Sequence, residues 1–256
     1  MSRYNRSTSS GIGYPPWTRA VKTLVIACAI TWLVQIIAGD SFTSRFGLIP
    51  QDVTQNWHVW QLFSYIFLHD RNNVLHILFN MLGLWMFGSA LEDIWGSRQF
   101  TKFFFICGIG AGILMVLLSP SSPYATIGAS GSVYGVLLAF GMLFPDRIIY
   151  WLIFPIPAKY FVMIMGGIAF FSSMSSSGSG IAHVAHLGGM LCGFVYLKSH
   201  GLTRPRSGGG GGGGGMFSVG GLRARYAQWQ RNRLRKKFDV YYNDKHDDEK
   251  WRRWKN

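Results

Sequence analysis

Residues 74–91, VLHILFNMLGLWMFGSAL, decide how the rest of the chain is read. Eighteen residues without a charge are enough for a membrane-spanning helix, which needs about 17 to 25. The first half of this stretch carries two polar residues, His76 and Asn80, and a separation of four puts both on one helix face. Polar groups at membrane depth are costly and call for a reason. Five further apolar stretches accompany this one: 21–38, 103–118, 127–144, 157–171 and 181–197. The stretches 103–118 and 157–171 are short for a crossing. Residues 148–156, broken by Pro155, with Pro157 following, read as an interfacial segment feeding the fifth span. The expected fold class is all-α: a polytopic six-transmembrane-helix bundle over residues 21–200, after an N-terminal segment 1–20.

Composition agrees. Of 256 residues, 49% are hydrophobic and 14% charged, against roughly 25% charged in soluble domains, which excludes an ordinary soluble enzyme. The net charge of +14 sits mostly at the end: from Lys198 onward there are 15 Lys and Arg against 5 Asp and Glu. Cys28, Cys107 and Cys192 lie in separate apolar runs as small hydrophobes, which excludes a disulfide-stapled secreted protein.

Short loops rich in Lys and Arg stay cytoplasmic. Arg3, Arg6, Arg19 and Lys22 precede the first span; Arg98 and Lys102 lie between the second and third, Arg147 and Lys159 between the fourth and fifth. The opposite loops hold only Arg45 and Arg71, so both termini are expected in the cytoplasm and the protein in the cell membrane. Val25-Ile26-Ala27-Cys28 resembles a lipoprotein cleavage site, but the apolar run before Cys28 is too short for a signal core and continues past it. The first span is therefore read as an uncleaved anchor. The glycine run 208–215 marks a flexible linker, 201–221, ahead of a basic tail, 222–256. That tail suits either anionic lipid or a solvated role enforcing topology, and no recognition motif supports a nucleic-acid partner.

By this topology the second, fourth and sixth spans begin at the outer face. His76 and Asn80, Ser130 in Gly128-Ala129-Ser130-Gly131, and His186 then lie within about 4 to 11 Å of the outer helix ends. Gly131 and Gly135 on one helix, and Ala182, Ala185, Gly189 and Gly193 on the other, allow close packing. A nucleophile and general-base pair, Ser130 with His186, becomes geometrically reasonable, and N–H groups at a helix start suit an oxyanion. Packing glycines around a serine, a proton relay or an interhelical hydrogen-bond pair are the structural alternatives, and His183 competes with His186. No Asp or Glu lies in the outer halves of these spans, so a dyad rather than a triad is expected. No zinc motif is present.

His76-Ile77-Leu78-Phe79-Asn80, Gly128-Ala129-Ser130-Gly131 and Ala185-His186-Leu187-Gly188-Gly189, in that order and topology, resemble the motifs of rhomboid intramembrane serine proteases over about residues 21–197. The resemblance implies Ser130 as nucleophile and His186 as base and then acid. It also implies that His76, Asn80 and the Ser130 N–H hold the oxyanion, Tyr134 packs on His186, and Glu92 is structural. Substrates would be single-pass transmembrane helices cut near their outer end, favouring small residues and easily unwound helices, with no cofactor or metal. Trp60-Gln61 stands where some rhomboids carry Trp-Arg, and no role is transferred to it. The uncharged Ser/Gly stretch 172–180 is expected to cap the site. Two other classes remain: a catalytically silent rhomboid-like protein that binds membrane helices, and a small-solute transporter using the histidines.

Overall fold

Helix α1, Arg19–Ala38, is apolar all round; such a helix belongs in a core or in lipid. Val21, Leu24 and Cys28 face the bundle, while Ile37 on the far side is 87% exposed. The computed structural model describes residues 15–151, 154–173 and 179–202. Arg3 and Arg6, the glycine run, the basic tail and most of the expected cap lie outside the described residues.

After α1 come three short helices, α2 (Asp40–Phe46), α3 (Pro50–Gln55) and α4 (Gln61–Ser64), and a 3-10 turn, Tyr65–Phe67. One continuous rod follows: α5 (Val74–Gly83), a π-helical turn at Leu84–Gly88, and α6 (Ser89–Trp95). Next are α7 (Ser97–Leu118), α8 (Ser130–Leu143), a hairpin of β1 (Ile148–Trp151) and β2 (Phe154–Pro157), α9 (Ala158–Ser173) and α10 (Ser179–His200). Among the described residues, three helical stretches are long and apolar enough to cross a membrane, Arg19–Ala38, Val74–Trp95 and Ser97–Leu118; Ser130–Leu143 and Ala158–Ser173 are apolar but shorter. The chain divides into two compact units, and Lys198–Leu202 is the described part of the second.

Several boundaries differ from those expected, as does one connecting segment. α7 starts at Ser97 rather than near 103: hydropathy stops at Lys102, but the helix runs back to Gly96, whose φ of 77° breaks it and whose carbonyl accepts the Phe100 N–H at 3.1 Å. α8 starts at Ser130 rather than 127, because Gly128 has a φ of 124° that no helix admits. Where an interfacial segment was expected, Ile148–Trp151 and Phe154–Pro157 pair as antiparallel strands, Ile148 opposite Pro157 and Tyr150 opposite Pro155; in a two-stranded ribbon every strand is an edge, where proline is tolerated.

The segment between α1 and α5 is tied down by Gln61, fully buried, whose Oε1 accepts the Ile49 N–H at 3.0 Å. Trp60 Nε1 donates to the Arg45 carbonyl at 3.0 Å.

Glu92 holds the C-terminal end of the rod. Its Oε1 accepts from Ala20 N–H at 2.8 Å and Ser97 Oγ at 2.5 Å. Its Oε2 accepts from Thr18 Oγ1 at 2.5 Å and Val21 N–H at 2.9 Å. One carboxylate thus caps the start of α1, where the helix dipole favours a negative charge, and ties it to the start of α7. Glu92→Ala leaves these donors unpartnered and is expected to cost about 3 kcal/mol, since hydrogen bonds to charged groups are the strong ones; Glu92→Gln should cost less. Thermal unfolding in micelles, followed by dye reaction with the buried Cys28 thiol, reads this directly. An unchanged midpoint for Glu92→Ala would remove the role.

Candidate active site

α8 has 14 residues, about 21 Å of helix, against a hydrocarbon thickness of about 30 Å. It is therefore too short to reach from one surface of the hydrocarbon layer to the other, with Ser130 as its first residue. Backbone that is neither helix nor sheet is tolerated at membrane depth where protein or a water-filled cavity surrounds it. The approach to Ser130 is held by Tyr65: its carbonyl accepts the Gly128 N–H at 2.9 Å, and its buried hydroxyl donates to the Gly108 carbonyl on α7 at 2.7 Å.

α8 and α10 pack backbone to backbone. A Cβ at Gly189 would stand 1.9 Å from the Gly131 carbonyl oxygen, and one at Gly135 would stand 3.0 Å from the Gly189 oxygen and 2.5 Å from Cys107 Sγ. The small-residue seam read from the sequence is this contact. It places His186 Nε2 2.8 Å from Ser130 Oγ. The Tyr134 ring, one turn along α8 from Ser130, stacks on the His186 ring with centroids 4.3 Å apart and planes 1° from parallel. His186 Nδ1 is buried with no hydrogen-bond partner among the described residues, so the ring is oriented by stacking rather than by a carboxylate. His183 meets the His186 ring edge-on, centroids 5.4 Å apart at 75°.

His76 approaches from α5. The Asp70 N–H donates to its Nδ1 at 3.2 Å, so a neutral His76 carries its proton on Nε2. That nitrogen would lie 2.9 Å from a Cβ at Gly128; because Gly128 has none, the space beside the Ser130 backbone stays open in front of an N–H donor. Asn80 is buried, and its Nδ2 donates to the His76 carbonyl at 2.8 Å, leaving a second amide hydrogen. The first turn of α8 leaves the Ser130 N–H without an intrahelical acceptor. His69, fully buried beside His76 with ring centroids 5.3 Å apart, donates its backbone N–H to Gln35 Oε1 at 2.8 Å. Burial, with His76 alongside, lowers its imidazole to about 4, so this neighbour is neutral at physiological pH.

The structure thus brings together Ser130 with His186, and sets His76 beside Gly128 with Asn80 one turn along α5. Among the described residues, no group of three or more His, Cys, Asp and Glu side chains is arranged to hold a metal ion. Sequence reasoning missed Tyr65, Gln35 and the Asp70 N–H. A backbone donor leaves no trace in residue type, and Tyr65 lies in a segment without helical periodicity.

A sequence model of the Rhomboid domain matches residues 56–200. The chain is 35% identical over 133 residues to Rhomboid protein 1, mitochondrial, of Saccharomyces cerevisiae, covering 47% of this chain and 36% of that protein. It is 29% identical over 181 residues to Rhomboid protease GluP of Bacillus subtilis, covering 69% and 33%. It is 27% identical over 173 residues to Rhomboid protease GlpG of Haemophilus influenzae, covering 68% and 86%. The match therefore spans about a third of the first two relatives and most of the third.

Proposed function

The chain belongs to the rhomboid family, and from that membership we propose that it is an intramembrane serine endopeptidase using Ser130 and His186. The observation that carries this reading is the 2.8 Å contact between Ser130 Oγ and His186 Nε2, made across two helices packed on their glycines. Ser130 Oγ attacks the scissile carbonyl while His186 Nε2 takes its proton. The charge on the tetrahedral oxygen is met by His76 Nε2–H, the free Asn80 amide hydrogen and the Ser130 N–H. His186 then gives the proton to the leaving amine, and water activated by the same ring releases the acyl group from Ser130. The substrates are single-pass membrane helices cut near the outer face of the cell membrane, with both termini of the protease in the cytoplasm.

Purified full-length protein in proteoliposomes, incubated with a fluorophosphonate probe and a generic single-pass substrate, tests the reading. Covalent labelling together with cleavage is expected. Helix binding without either would replace it with a catalytically silent rhomboid-like binder. Within the protease reading, His76→Ala and Asn80→Ala are each expected to lower kcat by about 10² to 10³, the usual effect of removing one oxyanion donor, with KM little changed. A rise in KM with kcat unchanged would assign them to substrate binding instead.

A further inference from the structure

A cleft of about 500 Å³ opens between the first turns of α1 and α7. Its mouth lies at the far end of the bundle from the Ser130 site: Glu92, which joins these two helix starts, is sixteen residues along the rod from His76, about 24 Å. The walls change character with depth. At the mouth stand Arg19 and Arg98, both exposed; neither guanidinium takes part in an ion pair among the described residues. Glu92 makes no ion pair with either; its carboxylate accepts from four other, uncharged donors. Thr23 and Thr101 follow, and then the wall becomes apolar through Leu24 and Ala27 to Phe67 and Phe105, whose rings lie 6.1 Å apart. From Arg19 to Ala27 the helix rises about 12 Å, most of the ~15 Å of hydrocarbon in one leaflet.

We propose that this cleft binds one anionic glycerophospholipid of the leaflet opposite the Ser130 site, its phosphate between Arg19 and Arg98 and one acyl chain laid along α1 to the Phe67 and Phe105 rings. Two cations without an ion pair among the described residues, above an apolar trough, match a phosphate above an acyl chain. A zwitterionic headgroup brings its own cation into the same space and is disfavoured. The chain's own C-terminal segment, with 15 Lys and Arg against 5 Asp and Glu from Lys198 onward, has the wrong sign to compete. Bridging α1 and α7, a bound lipid adds to the link that Glu92 makes between them.

The test is native mass spectrometry of the full chain, after incubation in micelles with equal amounts of phosphatidylglycerol and phosphatidylcholine. Wild type is expected to retain one phosphatidylglycerol per chain. Retention should fall at least tenfold in Arg19→Gln/Arg98→Gln and equally in Ala27→Trp, which keeps both cations and fills the apolar end. It should be unchanged in Arg231→Gln/Arg233→Gln/Arg235→Gln and in excess glycerol 3-phosphate. Circular dichroism establishes that each variant is folded; if the double variant is not, Ala27→Trp and Arg98→Gln alone carry the comparison. Undiminished retention in the cleft variants, equal retention of phosphatidylcholine, displacement by glycerol 3-phosphate, or loss that follows the tail substitutions would each overturn the proposal. No proteolysis is read, so the outcome is independent of the reaction proposed at the other end.

Discussion

Ser130→Ala is expected to abolish fluorophosphonate labelling and to lower cleavage of a transmembrane substrate by at least about 10⁴, the scale seen when a serine hydrolase loses its nucleophile. Folding should survive. The Ser130 hydroxyl bonds to His186, and a single such bond is worth about 1 kcal/mol; alanine is also the better helix former. A neighbouring serine supplies the control. Ser132, two residues on, is buried with a hydroxyl that has no hydrogen-bond partner among the described residues. Ser132→Ala should therefore leave turnover unchanged and stability the same or slightly higher. Persistent labelling of Ser130→Ala, or loss in both variants alike, would remove Ser130 from the nucleophile's place.

The second large effect comes from a residue with no side chain. Gly189→Ala sets a methyl 1.9 Å from the Gly131 carbonyl oxygen, a separation that real contacts do not allow, and the obstacle is backbone. α8 and α10 must move apart, and the movement is delivered to the 2.8 Å contact between Ser130 and His186. Misplacing reacting groups by about 1 Å costs on the order of 10²-fold, so kcat/KM should fall by at least that much although every proposed catalytic group is still present. Gly167→Ala on α9 makes the matching control, since an added Cβ there meets nothing within 4 Å. It should retain full activity. Comparable turnover in Gly189→Ala and Gly167→Ala would show that the helix seam does not set the catalytic distance.

The sequence made the helix faces legible because their signals are local. His76 and Asn80 announce one face by a separation of four, and the small residues from Gly131 to Gly135 and from Ala185 to Gly193 announce the seam. Packing and hydrogen bonding between distant segments leave no such periodic mark. The 2.8 Å spacing of Ser130 and His186 depends on that packing, and the orientation of His76 depends on the Asp70 backbone. Tyr65 could not be found for the same reason, since it acts on Gly128 and Gly108, far from it in the chain. Boundaries failed where hydropathy and hydrogen bonding part company: α7 continues through Lys102 and Arg98 until Gly96 stops it, whereas the apolar Ile127 stands outside α8 because Gly128 turns the chain. Glu92 was expected to be structural from the resemblance alone, and its four donors supply the physical reason.

The shortness of α8 carries a consequence for the host bilayer. A rod of about 21 Å carrying the proposed nucleophile at one tip would make the access of water a property of lipid as well as protein. Longer acyl chains would sink that tip further beneath the headgroups, and shorter ones would lift it toward them, at a modest cost per ångström of mismatch. For the proposed protease, membrane thickness would thereby act as a rheostat on hydrolysis, without a ligand or any change in the chain.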